Sequence, residues 1–264
     1  MRASKVIIKT EQEIQKLRVS GRLAADVLAM IGEYIQPGVT TGELDRICHD
    51  FIVNTLKVTP ANIGYYGYTK STCISPNEVI CHGIPSDNIV LKAGDIVNID
   101  VAIINEGYFG DTSRMYYVGQ VSADAKKLVE TTYAAMVAGI HAVKPEATLG
   151  DVGHAIQTVA EQQGYSIVRE YCGHGIGKVY HEQPSVVHYG TPGLGLSLKK
   201  GMVFTIEPMV NLGKPQVKEL ADGWTVVSVD GSLSAQWEHM VAVTDDGFEL
   251  LTPWPEGVGS FPEI

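Results

Sequence analysis

The feature that most constrains the fold is a pair of segments that recurs along the chain. The segment "PGVTTGELDRI" (37–47) resembles "PEATLGDVGHA" (145–155), and "LKAGDIVNID" (91–100) resembles "LKKGMVFTIE" (198–207). The two segments start 54 residues apart in the first copy and 53 residues apart in the second. This agreement predicts a duplicated helix–helix–sheet unit, and two copies are too few for a solenoid. We expect one domain over residues 1–264, with an internal repeat of about 11–120 and 121–250 and with the halves paired around one site.

The apolar periodicity predicts four helices. Residues 11–36 carry apolar side chains at three- and four-residue steps, and this pattern stops before Pro37. A second helix is expected to begin in "TTGELDRICHDFIV", with Thr41 as its N-cap. Two further helices are predicted over 123–143 and 149–163. The tail 252–264 is rich in proline and glycine, so we expect it to be irregular and to lie at the surface.

Composition and charge exclude several classes of protein. The chain has 264 residues, a net charge of −10 and a pI of about 5.2. This acidic balance argues against binding to nucleic acid or to an anionic membrane, and no apolar run approaches a transmembrane length. The cysteines form neither a C-x-x-C pair nor a zinc-finger spacing. Free thiols are therefore expected, with the cytoplasm as the compartment, for Cys48, Cys73, Cys81 and Cys172.

The stretch "NIDVAIINEGYFGDTS" (98–113) predicts a β-hairpin, because apolar runs flank a polar, glycine-containing break. A turn centred between Asn105 and Glu106 would place Asp100 directly opposite Asp111 on one face of the sheet. Like charges in that relation repel each other, and a buried carboxylate without a partner is costly. The hairpin therefore calls for a positively charged group between the two aspartates.

Further polar residues interrupt apolar stretches. His174 lies between two glycines in "EYCGHGIGKVYHEQP", with His181 seven residues later. "VFTIEPMV" and "SAQWEHMVAV" place Glu207 and Glu238 in otherwise apolar predicted strands, and the repeat aligns Glu207 with Asp100. Four converging carboxylates would be intolerable at neutral pH without cations. Carboxylate and imidazole suit divalent transition metals, and bridging carboxylates suit a pair of them roughly 3.5–4 Å apart.

Each of these motifs, taken singly, has a plainer explanation. An acid in a strand is more often exposed, and His174 alone can be an ordinary loop histidine. "GHGIGK" matches neither phosphate-loop pattern, so its glycines are expected to let the backbone pass close to a metal or substrate. "CHGIP" (81–85) places His82 in a second loop, which alone is weak evidence of function. The metal site is favoured by the whole set, since each acid interrupts an apolar strand.

As a set, "NIDVAIINEGYFGDTS", "EYCGHGIG", "FTIEPMV" and "SAQWEH" closely resemble the motifs of type I methionine aminopeptidases of the bacterial kind. The resemblance covers about residues 5–252 and includes "PGVTTGELDRI" and "CHGIP". It implies the pita-bread fold, an α/β (α+β) architecture of two pseudo-symmetric αβ halves with a central antiparallel sheet covered by helices. This architecture agrees with the duplication in the sequence.

The resemblance also implies roles for individual residues. Two divalent ions (Co, Mn, Fe, Ni or Zn), with Asp111 and Glu238 bridging, would be held by Asp100, Asp111, His174, Glu207 and Glu238. The residues implied to be catalytic are His82, His181 and Glu207. A monovalent cation such as Na⁺ or K⁺ would lie at Asn77, Val79 and Ser234. Substrate-binding residues would be Tyr65, Tyr68, Cys73, His82, Tyr180, His181 and Trp224.

Three positions depart from the pattern of these bacterial enzymes. Asn62 stands where cysteine is usual, Tyr180 where phenylalanine is common, and Tyr66 where histidine is often found. These departures concern the shape of the side-chain pocket and the fit of inhibitors, and they leave the expected reaction unchanged.

The implied function is hydrolytic removal of the initiator methionine from nascent chains when the second residue is small. The metal pair would lower the pKa of a water molecule and polarise the scissile carbonyl. Glu207 would shuttle a proton, His181 would stabilise the developing oxyanion, and His82 would position the peptide nitrogen. A monomeric enzyme is expected, with transient contact to the ribosome and with no membrane or specific nucleic-acid partner.

Three related classes of protein are alternatives. A proline-specific aminopeptidase or prolidase would use the same metal site but carries an extra N-terminal domain, and only 99 residues precede Asp100. A non-catalytic pita-bread binding module would have lost ligands, whereas this chain keeps all five. Type II methionine aminopeptidases carry an insertion between the last two ligands, and the 31-residue step from Glu207 to Glu238 favours type I.

Overall fold

The computed structural model describes residues 5–255 and folds them into helices packed on antiparallel sheets. The helices of this part of the chain are α1 (Glu11–Ile31), α2 (Thr41–Asp50), α3 (Ala123–His141) and α4 (Leu149–Gln162). The strands are β1 (Thr59–Pro60), β2 (Thr72–Pro76), β3 (Val79–Cys81), β4 (Ile96–Asn105), β5 (Tyr108–Tyr117), β6 (Ser166–Ile167), β7 (Gly173–Gly175), β8 (Glu182–Val186), β9 (Val203–Ile206), β10 (Met209–Asn211), β11 (Val217–Glu219), β12 (Val226–Ser228), β13 (Ser234–Gln236), β14 (His239–Val243) and β15 (Phe248–Leu250).

Each half of the chain has its own hydrophobic core between a helix pair and a sheet. In the first half, Leu28 of α1 and Leu44 of α2 belong to one buried cluster with Ile99 of β4. In the second half, a separate cluster joins α3 and α4 to β9, β13 and β14. Because each helix pair buries one apolar face against the strands, the sheets form the middle layer and the helices lie outside them.

The segments that match in sequence are built alike. Thr40 precedes α2 and forms an isolated bridge with Val90, and Thr148 precedes α4 and forms the corresponding bridge with Ser197. Each threonine hydroxyl also accepts a hydrogen bond from the third backbone N–H of its helix. The same start therefore positions the second helix of each half.

Two predicted helix boundaries were wrong by a few residues. The first helix ends at Ile31 and continues as a 3₁₀ turn, Gly32–Tyr34, rather than running to residue 36. The N-cap of α2 is Thr40 rather than Thr41. The Thr41 hydroxyl instead exchanges hydrogen bonds with the backbone of Ser86, which leaves Thr40 free to cap the helix.

The predicted hairpin forms, but its register differs from the one expected. β4 and β5 pair so that Asp100 lies opposite Ser113 and Asp111 lies opposite Ala102, which centres the turn between Glu106 and Gly107. Both residues of that turn have positive φ, 49° and 79°. This is the backbone of the common two-residue hairpin turn, for which glycine is well suited. The two aspartates therefore share one face as diagonal neighbours instead of facing each other directly.

Glu207 and Glu238 were expected within apolar strands, but each lies in a break between two strands. Glu207 occupies the break between β9 and β10, and Glu238 the break between β13 and β14. The pairs Ile206–His239 and Met209–Gln236 keep one register on either side of these breaks. The two breaks therefore lie opposite each other. At each break the glutamate side chain is not bound to the alternating in-and-out pattern of side chains in a continuous strand.

The two halves meet at the break that carries Glu238. Its backbone N–H donates to the carbonyl of Ser113 at 3.2 Å, and its carbonyl accepts from the Thr112 hydroxyl at 2.7 Å. This bridge places β5 of the first half beside β14 of the second, so both halves contribute side chains to one cavity.

In residues 5–255 no helix is long and apolar enough to cross a membrane. The four cysteines are free, as expected.

One close approach sets the position of the hairpin against α1. A Cβ added at Gly110 would lie 2.2 Å from the carbonyl oxygen of Ser20 in α1. We expect Gly110→Ala to lower the free energy of unfolding by about 1–3 kcal/mol, because overpacking forces the helix from the strand. Gly247→Ala is the matched control, since its added Cβ meets no atom within 4 Å. Urea unfolding of both variants checks this expectation, and equal losses would contradict it.

Candidate active site

One cavity lies between the halves and combines acidic, imidazole and aromatic side chains. The structure brings together there every residue expected to bind a divalent metal or substrate. It is lined by Asn62, Tyr65, Tyr68, Cys73, His82, Asp100, Asp111, His174, Tyr180, His181, Glu207, Trp224 and Glu238. Asn62 is the one lining residue that sequence reasoning noted only as a departure from a pattern.

The acids at one end of the cavity are crowded enough to resist ionisation. Burial raises the pKa of Asp100 well above its ordinary value, and the charges of Asp111 and Glu207 raise it further. Burial raises the pKa of Glu238 in the same way, followed by repulsion from Asp111 and Glu207. Burial also raises the pKa of Glu207, to about 7. In the absence of a cation these acids therefore compete for protons near neutral pH.

The donor atoms at this end fit a divalent cation. One oxygen each of Asp111 and Glu238 and one ring nitrogen of His174 lie within 4.8 Å of one another. The His174 Nε2 is 3.3 Å from Asp111 Oδ2 and 3.7 Å from Glu207 Oε1. Asp100 Oδ1 is buried without a hydrogen-bond partner. A transition-metal ion would satisfy this unpaired carboxyl oxygen, and the neighbouring oxygen and nitrogen atoms are suitable ligands for the same ion.

Neighbouring polar groups hold the ligands in place. The Thr205 hydroxyl donates to Glu207 Oε1 at 2.7 Å and accepts from the His174 backbone N–H at 3.0 Å. The backbone N–H of Glu207 donates to Nε2 of His188 at 3.1 Å. His188 is fully buried, and burial lowers its pKa to about 3, which keeps the ring neutral and able to accept. Such outer contacts orient metal ligands.

Sequence reasoning missed both of these supporting residues. Thr205 carried a faint signal, because it is a polar residue two positions before Glu207 in an apolar strand. His188 carried none, since only the fold brings it beneath Glu207 across 19 residues of chain.

Two further histidines, His82 and His181, line the cavity. The Tyr65 hydroxyl and His181 Nδ1 are 2.7 Å apart, and the ring centroids of His174 and His181 are 4.0 Å apart. His82 has a φ of 56°, and burial lowers its pKa to about 4, so its ring is neutral near pH 7. A non-glycine residue in the left-handed region is strained, and such strain concentrates at functional sites.

The other end of the cavity is largely aromatic. The rings of Tyr68 and Trp224 meet edge to face with centroids 4.9 Å apart. The Tyr68 hydroxyl donates to the backbone carbonyl of Thr72, so it is satisfied without a ligand. Burial raises the pKa of the Cys73 thiol well above its ordinary value, which keeps it protonated and unreactive. This end therefore suits a slender apolar side chain.

The residues expected at a monovalent-cation site lie close together, with Asn77 in the turn before β3 and with Val79 and Ser234 at the starts of β3 and β13. The Asn77 carbonyl accepts from the Ser234 backbone N–H at 2.9 Å, and Val79 begins β3. Asn77 has a φ of 54°, and its side chain is held by hydrogen bonds to Asp95 and to the Ile96 N–H. The cation itself stays a prediction.

The family to which the chain belongs agrees with the metal-binding character of this cavity. A model of metallopeptidase family M24 matches residues 15–245, so the chain belongs to that family. The family uses divalent metal, in accord with the donor set around Asp111.

Individual relatives show which kind of metallopeptidase the chain resembles. The methionine aminopeptidase of Haemophilus influenzae is 56% identical over 246 residues, which cover 93% of this chain and 92% of the relative. The crystal structure of the methionine aminopeptidase from Rickettsia prowazekii matches this chain with a TM-score of 0.92 and 52% sequence identity. The match covers 94% of this chain and 100% of the Rickettsia chain. The expected resemblance and the pita-bread fold are thereby confirmed.

A prolidase from Pyrococcus furiosus shares the fold alone. Its TM-score is 0.74 at 23% identity, and the match covers 93% of this chain and 65% of the prolidase chain.

The raised carboxyl pKa values predict an unusual pH dependence for the metal-free protein. Because the folded acid binds its proton more tightly than the unfolded one, the stabilisation is present at low pH and is lost as pH rises to about 7. We expect the part due to Glu207 to be about 2–3 kcal/mol between about pH 5 and about pH 8. Urea unfolding of chelator-treated wild type and Glu207→Gln measures it. Equal pH slopes would contradict it.

Proposed function

We propose that the protein is a metal-dependent methionine aminopeptidase that removes the initiator methionine from nascent chains when the second residue is small. One observation carries this proposal: a crowded donor set, His174 included, opens directly onto an aromatic pocket lined by Tyr68 and Trp224. The first arrangement suits hydrolysis, and the second suits an unbranched apolar side chain. Turnover of Met-Ala-Ser but not of Ala-Pro peptides, measured together with metal content, tests the function.

Two divalent ions would be held by Asp100, Asp111, His174, Glu207 and Glu238, with Asp111 and Glu238 shared between them. Four carboxylates carry enough negative charge for two divalent ions, and the cations would relieve the repulsion among the acids. When bound, the ions lower the pKa of a water molecule and polarise the scissile carbonyl. Co, Mn, Fe, Ni and Zn all suit this donor set. A monovalent cation is proposed at Asn77, Val79 and Ser234.

Glu207 is proposed to carry the proton between the attacking water and the leaving amine. Its carboxyl is fixed by Thr205 and by the Gln236 amide, which donates to Oε2 at 3.3 Å. A carboxyl group that is held in place in this way can exchange a proton with a neighbouring water molecule.

His181 is proposed to donate to the carbonyl oxygen as negative charge develops there. When the Tyr65 hydroxyl donates to Nδ1, the ring proton is left on Nε2, which is then available as a donor. His82, strained and neutral, is proposed to position the peptide nitrogen. The methionine side chain would contact Tyr65, Tyr68, Cys73, Tyr180 and Trp224.

The substrate would be the N-terminus of a nascent polypeptide in the cytoplasm. A monomer with transient contact to the ribosome is proposed, without a membrane or specific nucleic-acid partner. The net charge of −10 supports the last point. The pseudo-repeat of about 11–120 and 121–250 within one catalytic domain is proposed to reflect duplication, supported by the matching helix starts at Thr40 and Thr148.

Loss of a shared ligand should remove both ions and the activity. We expect Asp111→Ala and Glu238→Ala to lose metal and all measurable turnover, because each carboxylate would hold both ions. Chelation should abolish turnover reversibly. Glu130→Ala, which removes an exposed acid of α3, is the control and should behave as wild type. Full activity in a dialysed, chelator-treated sample would refute the metal dependence.

His181 and His174 should differ in what their loss removes. We expect His181→Ala to keep metal and folding and to lower kcat about a hundredfold with a smaller effect on KM, as for an oxyanion donor. His174→Ala should weaken metal binding itself, since its Nε2 lies among the acids. Metal analysis and steady-state kinetics separate the two. Equal metal loss in both variants would make His181 a ligand instead.

A further inference from the structure

Two residues that depart from the pattern of bacterial methionine aminopeptidases contact each other in this cavity. The Tyr180 hydroxyl donates to Oδ1 of Asn62 at 2.8 Å, across 118 residues of chain. Asn62 is 7% exposed and Tyr180 is 8% exposed, and both line the cavity. The two departures are therefore one structural change.

The hydrogen bond leaves little free polarity in the pocket wall. The Asn62 amide nitrogen donates to the backbone carbonyl of Ser71 at 3.2 Å, while its oxygen accepts from Tyr180. The only hydroxyl proton of Tyr180 is used in the same contact. An apolar side chain that enters the pocket therefore does not strand the Tyr180 hydroxyl or the Asn62 carbonyl.

The pair also lies beside the rings of Tyr65 and His181. The Tyr180 ring stacks on Phe109 at 5.1 Å, and its centroid lies 5.0 Å from that of Tyr65 and 4.2 Å from that of His181. Asn62 thus fixes one end of a ring that packs against both residues of the Tyr65–His181 contact.

We propose that Asn62 and Tyr180 act as one specificity-determining unit, in which each residue satisfies the other and so keeps the pocket selective for an apolar side chain. This inference rests on the proposed function. Breaking the pair from either side would leave a buried polar group free. That group would favour a polar side chain of similar length, such as glutamine, over methionine.

The test is a double-mutant cycle of Asn62→Cys, Tyr180→Phe and the double variant, with Mn²⁺ added. The kcat/KM values for Met-Ala-Ser and Gln-Ala-Ser give a selectivity ratio for each protein. We expect Tyr180→Phe to lower the Met-to-Gln ratio about tenfold, because the freed Asn62 oxygen can accept from the glutamine amide. The double variant should return to within about twofold of wild type.

Urea unfolding of the same proteins gives a readout that is independent of turnover. Each single change should lower the folding equilibrium constant about tenfold, and the double variant should lose less than the product of the two. Tyr117→Phe is the matched control, since the Tyr117 hydroxyl is buried with no hydrogen-bond partner, and it should keep both stability and selectivity.

The outcomes separate the claims. Additive losses in unfolding would overturn the pair as a unit. Coupled unfolding with an unchanged Met-to-Gln ratio would make the contact merely structural and overturn its role in specificity. If wild type with Mn²⁺ cleaves neither peptide, the proposed function fails and the specificity role fails with it, while coupled unfolding would still support the pair as a structural unit.

Discussion

The mutual repulsion of buried acids is the constraint on which the rest of the structure depends. Asp100, Asp111, Glu207 and Glu238 meet in one cavity, and burial alone already raises the pKa of three of them. A fold can hold such groups only if its other interactions exceed that cost and if a cation or protons neutralise them. The apolar cores on either side supply the rigid frame, since each is fully buried between helices and sheet.

The two halves position their acids by different local structures. The first half uses a long regular hairpin, in which the register places Asp100 and Asp111 diagonally on one face. The second half uses two facing breaks in paired strands, which carry Glu207 and Glu238. The hydrogen bonds between Glu238 and β5 then connect the two local structures. Convergence of the ligands therefore depends on contacts between the halves as much as on either half.

Sequence reasoning reached the fold class and every lining residue except Asn62 as a site. Acids in apolar stretches and a repeated spacing indicated the metal site, whereas the aromatic and cysteine positions of the pocket came from the resemblance to type I methionine aminopeptidases. That reasoning missed what depends on exact register. The hairpin turn was placed one residue too early, although Gly107 favours the turn at Glu106–Gly107, in which both residues have positive φ. His188 was invisible because its role is an interaction between distant segments. Motif letters identify chemistry, whereas support for that chemistry is a property of packing.

The cavity has two ends of opposite character, and this contrast can orient a substrate. One end holds acids that need cations, and the rest of the lining includes rings whose polar atoms are already bonded, as at Tyr68 and in the Asn62–Tyr180 pair. An amino-terminal methionine carries an amine and a carbonyl close together, and an apolar thioether beyond them. Its amine and carbonyl would interact favourably with the cations at the acidic end. Its thioether side chain would leave no polar group of the ring-lined wall unpaired. Selectivity then follows from which polar groups of the wall are satisfied before the substrate arrives.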